Sequence, residues 1–166
     1  LKERLTGYES FGLSHPGAEY NPGNAILYSP QRYEVISAGG YWLSKTPHIA
    51  GSRSWDSAAT RFANWLHLKD RQSGRQFRVW NTHLDHKGQT AREEQARMVC
   101  EGAEAAHGAE FPQILTGDMN ADMRNPAISI YKSRGWKDTY AEVHGEADPG
   151  FTYHRFIGPK YGEVRK

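Results

Sequence analysis

Asn81-Thr82-His83-Leu84-Asp85-His86 and Thr116-Gly117-Asp118-Met119-Asn120-Ala121 each continue a short apolar run into a polar cluster. The first follows Phe77-Arg78-Val79-Trp80 and the second follows Gln113-Ile114-Leu115, both of which read as buried strands. In extended chain, residues two apart project to the same side. Asn81, His83 and Asp85 then share one face, and Asp118 and Asn120 share another. Between the two segments, residues 90–107 carry Ala96, Val99, Cys100, Ala103 and Ala106 at helical spacing, with Glu93-Glu94 near the start. A helix of that length is a crossover. If the two strands are parallel, both polar clusters fall at the same sheet edge, where α/β proteins place their sites.

Working outward, Ala25-Ile26-Leu27-Tyr28 reads as a strand closed by Ser29-Pro30, and residues 33–37 alternate as a second. Gly39-Gly40 reads as a turn into residues 41–44, and a Pro-, Gly- and Ser-rich loop continues to Ser57. Residues 61–69 alternate with Phe62, Asn64, Leu66 and Leu68 on one face and Ala63, Trp65 and His67 on the other. A hairpin turn holding Gly74 leads back into the strand at Phe77. A second helix is expected over residues 127–134, and the first twenty-odd residues read as loop. This order predicts mixed α/β layers in a single domain over residues 1–166.

The bulk properties narrow the function classes. The chain has 166 residues, 37% hydrophobic and 12% aromatic, and a net charge of +2. No run approaches the ~20 apolar residues of a membrane span. The basic residues are scattered, which gives no tract for non-specific duplex binding. The single Cys100 excludes an internal disulfide and reads as a packed thiol. Localisation is not legible, and a monomer is expected.

Asp118 and Asn120 after Gly117 could hold a hard cation through oxygen, or orient a water for attack on phosphorus. The same Gly-Asp-x-Asn composition also makes an ordinary turn. His83 could donate to a phosphate oxygen or protonate a leaving group. Alternatively the 81–86 segment is a capped strand end with His86 and Lys87 in solvent. Two polar clusters at the ends of two helix-linked strands favour chemistry over coincidence.

The segment from Trp80 to Val99, followed by Pro112-Gln-Ile-Leu-Thr-Gly-Asp-Met-Asn-Ala-Asp122, resembles the endonuclease/exonuclease/phosphatase family. Residues 41–68 resemble a hydrolase subgroup of that family, with Trp42-Leu43-Ser44-Lys45-Thr46-Pro47 followed by Trp55-Asp56 and Arg61. Residues 150–156 resemble the subgroup's later Thr-Phe-His-Gly-Phe segment, with Tyr153 and Arg155 as departures.

The resemblance implies part of a four-layered α/β sandwich with two mixed sheets flanked by helices. It implies a magnesium- or manganese-dependent hydrolase of phosphodiester or phosphomonoester bonds, acting on nucleic acid or a small phosphorylated molecule. Asp118 would be the base or water-orienting carboxylate and Asn120 would hold it or the phosphate, both near the metal. His83 would contact the scissile phosphate. Arg61, Asn81, His154 and Glu19 would serve the substrate: Arg61 by reaching a phosphate, Asn81 by supporting the His83 loop, Glu19 by orienting the histidine. Arg92 and Gln95 match a helical Arg-x-x-Gln with a packing role. The family's N-terminal Asn and Leu-Gln-Glu segments and its C-terminal Ile-Asp-Tyr and Ser-Asp-His segments have no counterpart here. The chain is therefore expected to be a piece incomplete at both termini and inactive alone. A family member without catalysis, used as a binding module, is the alternative.

Overall fold

The structure, a computed structural model, describes residues 5–14, 23–106, 111–145, 150, 152, 153 and 156. Strands β3 (Tyr33–Trp42), β4 (Phe62–Asp70), β5 (Gln76–His83) and β6 (Gln113–Asp118) form one sheet in that order. The first three are antiparallel neighbours, and β6 runs parallel to β5. Helix α1 (Gln89–Ala105) makes the crossover between the parallel pair, and α2 (Pro126–Ser133) packs beside it. Strands β1 (Glu9–Phe11) and β2 (Ile26–Tyr28) make a small antiparallel sheet, and a short α3 (Thr139–His144) follows α2. The fold is α/β, with two sheets and flanking helices.

Alternation along β4 and β5 sorts the core into two layers. Leu66 and Leu68 face Ile26 of the small sheet, with Phe11, Tyr33, Val35, Phe77 and Val79 around them. On the other face, Leu43, Ala63 and Leu84 meet Ala96, Val99 and Cys100 of α1 and Ala127 and Tyr131 of α2. Small α1 residues let the helix lie close on the sheet, and the fully buried Cys100 packs there as expected. Burial pushes its thiol up to about 11. Helix, large sheet and small sheet are three of the four layers of the expected sandwich.

Three local expectations are corrected. Gly39-Gly40 does not turn the chain; β3 runs through both, with a bulge between Val35 and Ser37. The glycines serve close packing instead. A Cβ at Gly39 would meet the Trp65 ring at 2.7 Å, and one at Gly40 would meet Asn64 Oδ1 at 2.7 Å. The N-terminal stretch read as loop contains β1. Finally, the first turn of α1 holds no acidic residue: Glu93 and Glu94 fall later and pair with Arg97. Negative charge reaches that helix end from outside, where Asp56 Oδ1 accepts from the Ala91 backbone N–H at 2.7 Å. Among the described residues no helix is long and apolar enough to cross a membrane.

Candidate active site

The parallel register settles which groups meet. Thr82 lies opposite Gly117 and His83 opposite Asp118, so both polar clusters leave the sheet at one edge. Antiparallel β4 enters at this edge, which brings Arg61 alongside through the Leu43 N–H bond to the Arg61 carbonyl. Gly117 makes the junction feasible. Its φ is 144°, and a Cβ there would lie 2.0 Å from the Thr82 carbonyl oxygen.

His83 and Asp118 face each other with Nε2 and Oδ2 3.5 Å apart, each side chain partly exposed. That separation is long for a hydrogen bond. It leaves a donor and an acceptor facing a common space that a water or phosphate oxygen can enter. Burial, then the nearby Arg61 charge, holds the His83 pKa below its ordinary value, so the imidazole is neutral at pH 7. Asp118 Oδ1 accepts from the Asn120 backbone N–H at 3.0 Å, and Asn120 takes a left-handed φ of 47°. Thus the turn and the cluster, read from sequence as rivals, are one feature. Asn120 Nδ2 donates to the Leu84 carbonyl at 2.9 Å, which fixes the amide and leaves its oxygen as the end able to accept or ligate.

Asp85 behaves differently from the third exposed polar residue that the strand period suggests. The chain leaves β5 after His83, and Asp85 is completely buried in the turn before α1. Its Oδ2 accepts from Ser57 Oγ and from the Ala58 and Ala59 backbone N–H groups, each at 3.0 Å. Its Oδ1 accepts from the backbone N–H groups of Lys87 at 2.9 Å and Gly88 at 2.8 Å. These donors hold its pKa far below the usual carboxylate range, overcoming the desolvation that would raise it. The helical Arg-x-x-Gln completes the brace. Gln95 Oε1 accepts from the Asp85 N–H at 2.8 Å, and the Arg92 guanidinium donates to the Asp85 carbonyl at 2.7 Å. Packing rather than catalysis is their observed role.

Arg61 joins the brace to the open edge. Its side chain is only 12% exposed, with Nε 3.9 Å from Asp85 Oδ2 and a terminal nitrogen 3.2 Å from His86 Nδ1. Burial lowers its pKa, against the opposing pull of Asp85 and Asp118, and a guanidinium stays charged under such shifts. The edge therefore gathers Arg61, His83, His86, Asp118 and Asn120. Asn81 lies two residues behind His83, where its amide donates to the Ala25 carbonyl and accepts from Thr116 Oγ1, tying the two sheets together. Glu19 and His154 lie outside the described residues. The Arg61–His86 pair and the Ser57–Asp85 connection had no sequence signal beyond the Trp55-Asp56 and Arg61 spacing.

The donor set bears on the metal. Asp85 has both oxygens engaged by protein, so among the described residues Asp118 is the carboxylate left open at this edge, with the Asn120 amide oxygen beside it. Such a sparse oxygen set fits magnesium or manganese in kind, since magnesium keeps several waters and takes one or two carboxylates. Among the described residues no group of three His, Cys, Asp or Glu side chains is placed to hold an ion.

No family model and no curated protein sequence matches the chain. Solved structures do. An endonuclease/exonuclease/phosphatase family protein from Bacteroides thetaiotaomicron is 34% identical with a TM-score of 0.75, over 81% of this chain and 49% of that one. A mannosyl-6-phosphatase from Bacteroides thetaiotaomicron is also 34% identical with a TM-score of 0.75, over 81% of this chain and 51% of that one. The human Nocturnin catalytic domain with bound sulfate shares the fold at 22% identity and a TM-score of 0.69, over 90% of this chain and 57% of that one. The chain belongs to the endonuclease/exonuclease/phosphatase family. It spans about half the length of the solved relatives it matches.

Proposed function

We propose that the protein is a divalent-metal-dependent hydrolase of phosphoric esters, acting by in-line attack of an activated water. The observation that carries this is the His83–Asp118 pair at adjacent parallel strand ends, with Arg61 and Asn120 at the same edge. Asp118 and the Asn120 amide oxygen would hold the magnesium or manganese ion. When bound, it would neutralise charge on the phosphate. Asp118 orients the attacking water toward phosphorus. Neutral His83 donates a hydrogen bond to a phosphate oxygen, and that bond strengthens as negative charge develops there. Arg61 supplies a fixed positive charge whose direction is set by Asp85.

The substrate class is a small or single-stranded phosphoester rather than duplex DNA. The modest net charge and scattered basic residues support this, because tight duplex binding needs many phosphate contacts. The similarity to a mannosyl-6-phosphatase points the same way. The second reading is a family member that binds a phosphoester without cleaving it.

Digestion of p-nitrophenyl phosphate, bis-p-nitrophenyl phosphate, an oligonucleotide and plasmid by the full protein, side by side with magnesium, manganese or EDTA, tests both. Hydrolysis of a small ester that EDTA abolishes is expected. Turnover of none of them by folded protein with either metal would leave the binding reading. Rapid plasmid nicking at ~0.15 M salt with small esters untouched would make it a deoxyribonuclease.

A further inference from the structure

Gln89 opens α1 and Asn125 caps α2, and their side-chain amides face each other where the two helices pack. The pair bonds twice: Gln89 Nε2 donates to Asn125 Oδ1 at 3.1 Å, and Asn125 Nδ2 donates to Gln89 Oε1 at 3.1 Å. Both amide orientations are fixed from outside the pair. A guanidinium only donates, and Arg92 lies 2.7 Å from Gln89 Oε1, so that atom is the oxygen. Asn125 Oδ1 accepts the Ala127 backbone N–H at 3.0 Å as the helix cap, so it too is the oxygen.

The bonds continue from this pair in both directions to the open edge. On the α1 side, Arg92 donates to the Asp85 carbonyl at 2.7 Å. On the α2 side, the Asn125 N–H donates to the Asp122 carbonyl at 3.1 Å and the Arg124 N–H to Asp122 Oδ1 at 2.9 Å, closing residues 122–125 into a turn. Asn120 precedes that turn, and its amide donates to the carbonyl of Leu84, the residue before Asp85. The path thus returns to the peptide where it began and encloses the loop that carries Asn120. Asn120 has a left-handed φ of 47°, which neighbouring contacts must specify. One end of its loop is tied by Asp118 and Leu84, and the other by the Gln89–Asn125 pair. Building on the hydrolase reading, we propose that Gln89 and Asn125 are positioning residues. Their paired amides hold the 122–125 turn on α1 and so fix where the Asn120 amide oxygen stands beside Asp118. Both act through Asn120 rather than on metal or substrate.

The test separates this role from simple capping, in the full protein. Asn125→Ser keeps an oxygen for the Ala127 N–H but is too short to reach Gln89. Gln89→Met removes the pair from the other side at similar volume and leaves the cap intact. Hydrogen exchange followed by NMR reads the Asn120 backbone and side-chain N–H groups. The Gly74 N–H, bonded to Asp70 in the hairpin turn at the opposite end of the sheet, is the reference. Manganese affinity by electron paramagnetic resonance, and separate kcat and KM values on the p-nitrophenyl ester that is cleaved, complete the readout. Each single variant should speed Asn120 exchange about fivefold, the worth of one net hydrogen bond, with Gly74 unchanged. Manganese binding should weaken and kcat fall by about the same factor, while KM moves less than about twofold. The double variant should match the singles, because each removes the same interaction. Wild-type exchange at Asn120 in both singles would overturn the proposal, as would losses that multiply in the double variant. So would Asn125→Ser behaving as wild type while Asn125→Ala, which lacks the cap, is impaired. If the wild type cleaves neither ester yet Asn120 exchange responds to both variants, the hydrolase reading fails and the positioning role stands.

Discussion

The two strand ends that make the site carry an aspartate each, and the two aspartates lead opposite lives. Asp85, after β5, is fully buried and accepts from Ser57, Ala58, Ala59, Lys87 and Gly88. Asp118, at the end of β6, is half exposed; it accepts from the Asn120 N–H and otherwise faces His83 across 3.5 Å. A carboxylate saturated by backbone donors is fixed in place and unavailable to a ligand, whereas one left open can bind and reorganise. Removing each should therefore damage different properties. Asp85→Ala should lose about 4 kcal/mol of stability in urea unfolding, because several buried N–H groups and Arg61 lose their partner together. Asp118→Ala should stay within about 0.5 kcal/mol of wild type. Equal stability losses in the two variants would erase the contrast.

Activity should reverse the order. In the full protein, Asp118→Ala and His83→Ala should each lower kcat at least a hundredfold, ~3 kcal/mol of transition-state stabilisation, without altered unfolding. Steady-state kinetics on p-nitrophenyl phosphate and its bis ester would measure this. Either variant keeping near-wild-type turnover would remove that residue from the mechanism.

The same contrast explains what the sequence made legible. Period-two polarity and a helix of crossover length located the shared edge, and the parallel register of His83 with Asp118 bears that out. Gly117 fits that edge because its close approach to the Thr82 carbonyl leaves one residue type able to serve. Asp85 was not readable, since the strand period that puts it on the His83 face holds only while the chain stays extended. The break after His83 is set by long-range bonds from residues 57–59 and from Gln95, which no local pattern encodes. Gly39-Gly40 misled for a related reason. Their absent side chains make room for Trp65 and Asn64 on β4, a tertiary demand that looks locally like a turn.

The brace can be probed without touching its carboxylate. Gln95 is fully buried, and its two ends bond the Asp85 N–H and Ser57 Oγ. Gln95→Leu keeps similar volume but leaves the buried Asp85 N–H unpaired and takes a donor away from Ser57 Oγ, so it should cost about 2 kcal/mol. If the loop it braces aims Arg61, KM should rise more than kcat falls. A variant as stable as wild type would show that water replaces the amide and that the brace is looser than its distances imply.

The smallest expected effect concerns pH. Asp85 has a folded pKa well below the ordinary value, so its contribution is fully present above the unfolded pKa of about 4 and is lost as pH falls toward the folded pKa. Between pH 5 and pH 3 the unfolded chain takes up a proton at this position while the folded chain does not. That difference amounts to about 1.2 kcal/mol of lost stability from this group alone. Asp85→Asn should be less stable at every pH in this window, but its stability should decline less steeply by about that amount. Urea unfolding at pH 5, 4 and 3 for both proteins measures the difference in slope, and the other carboxylates cancel in the comparison. Parallel pH profiles would mean that Asp85 titrates near its unfolded value and that its five donors do not outweigh its burial.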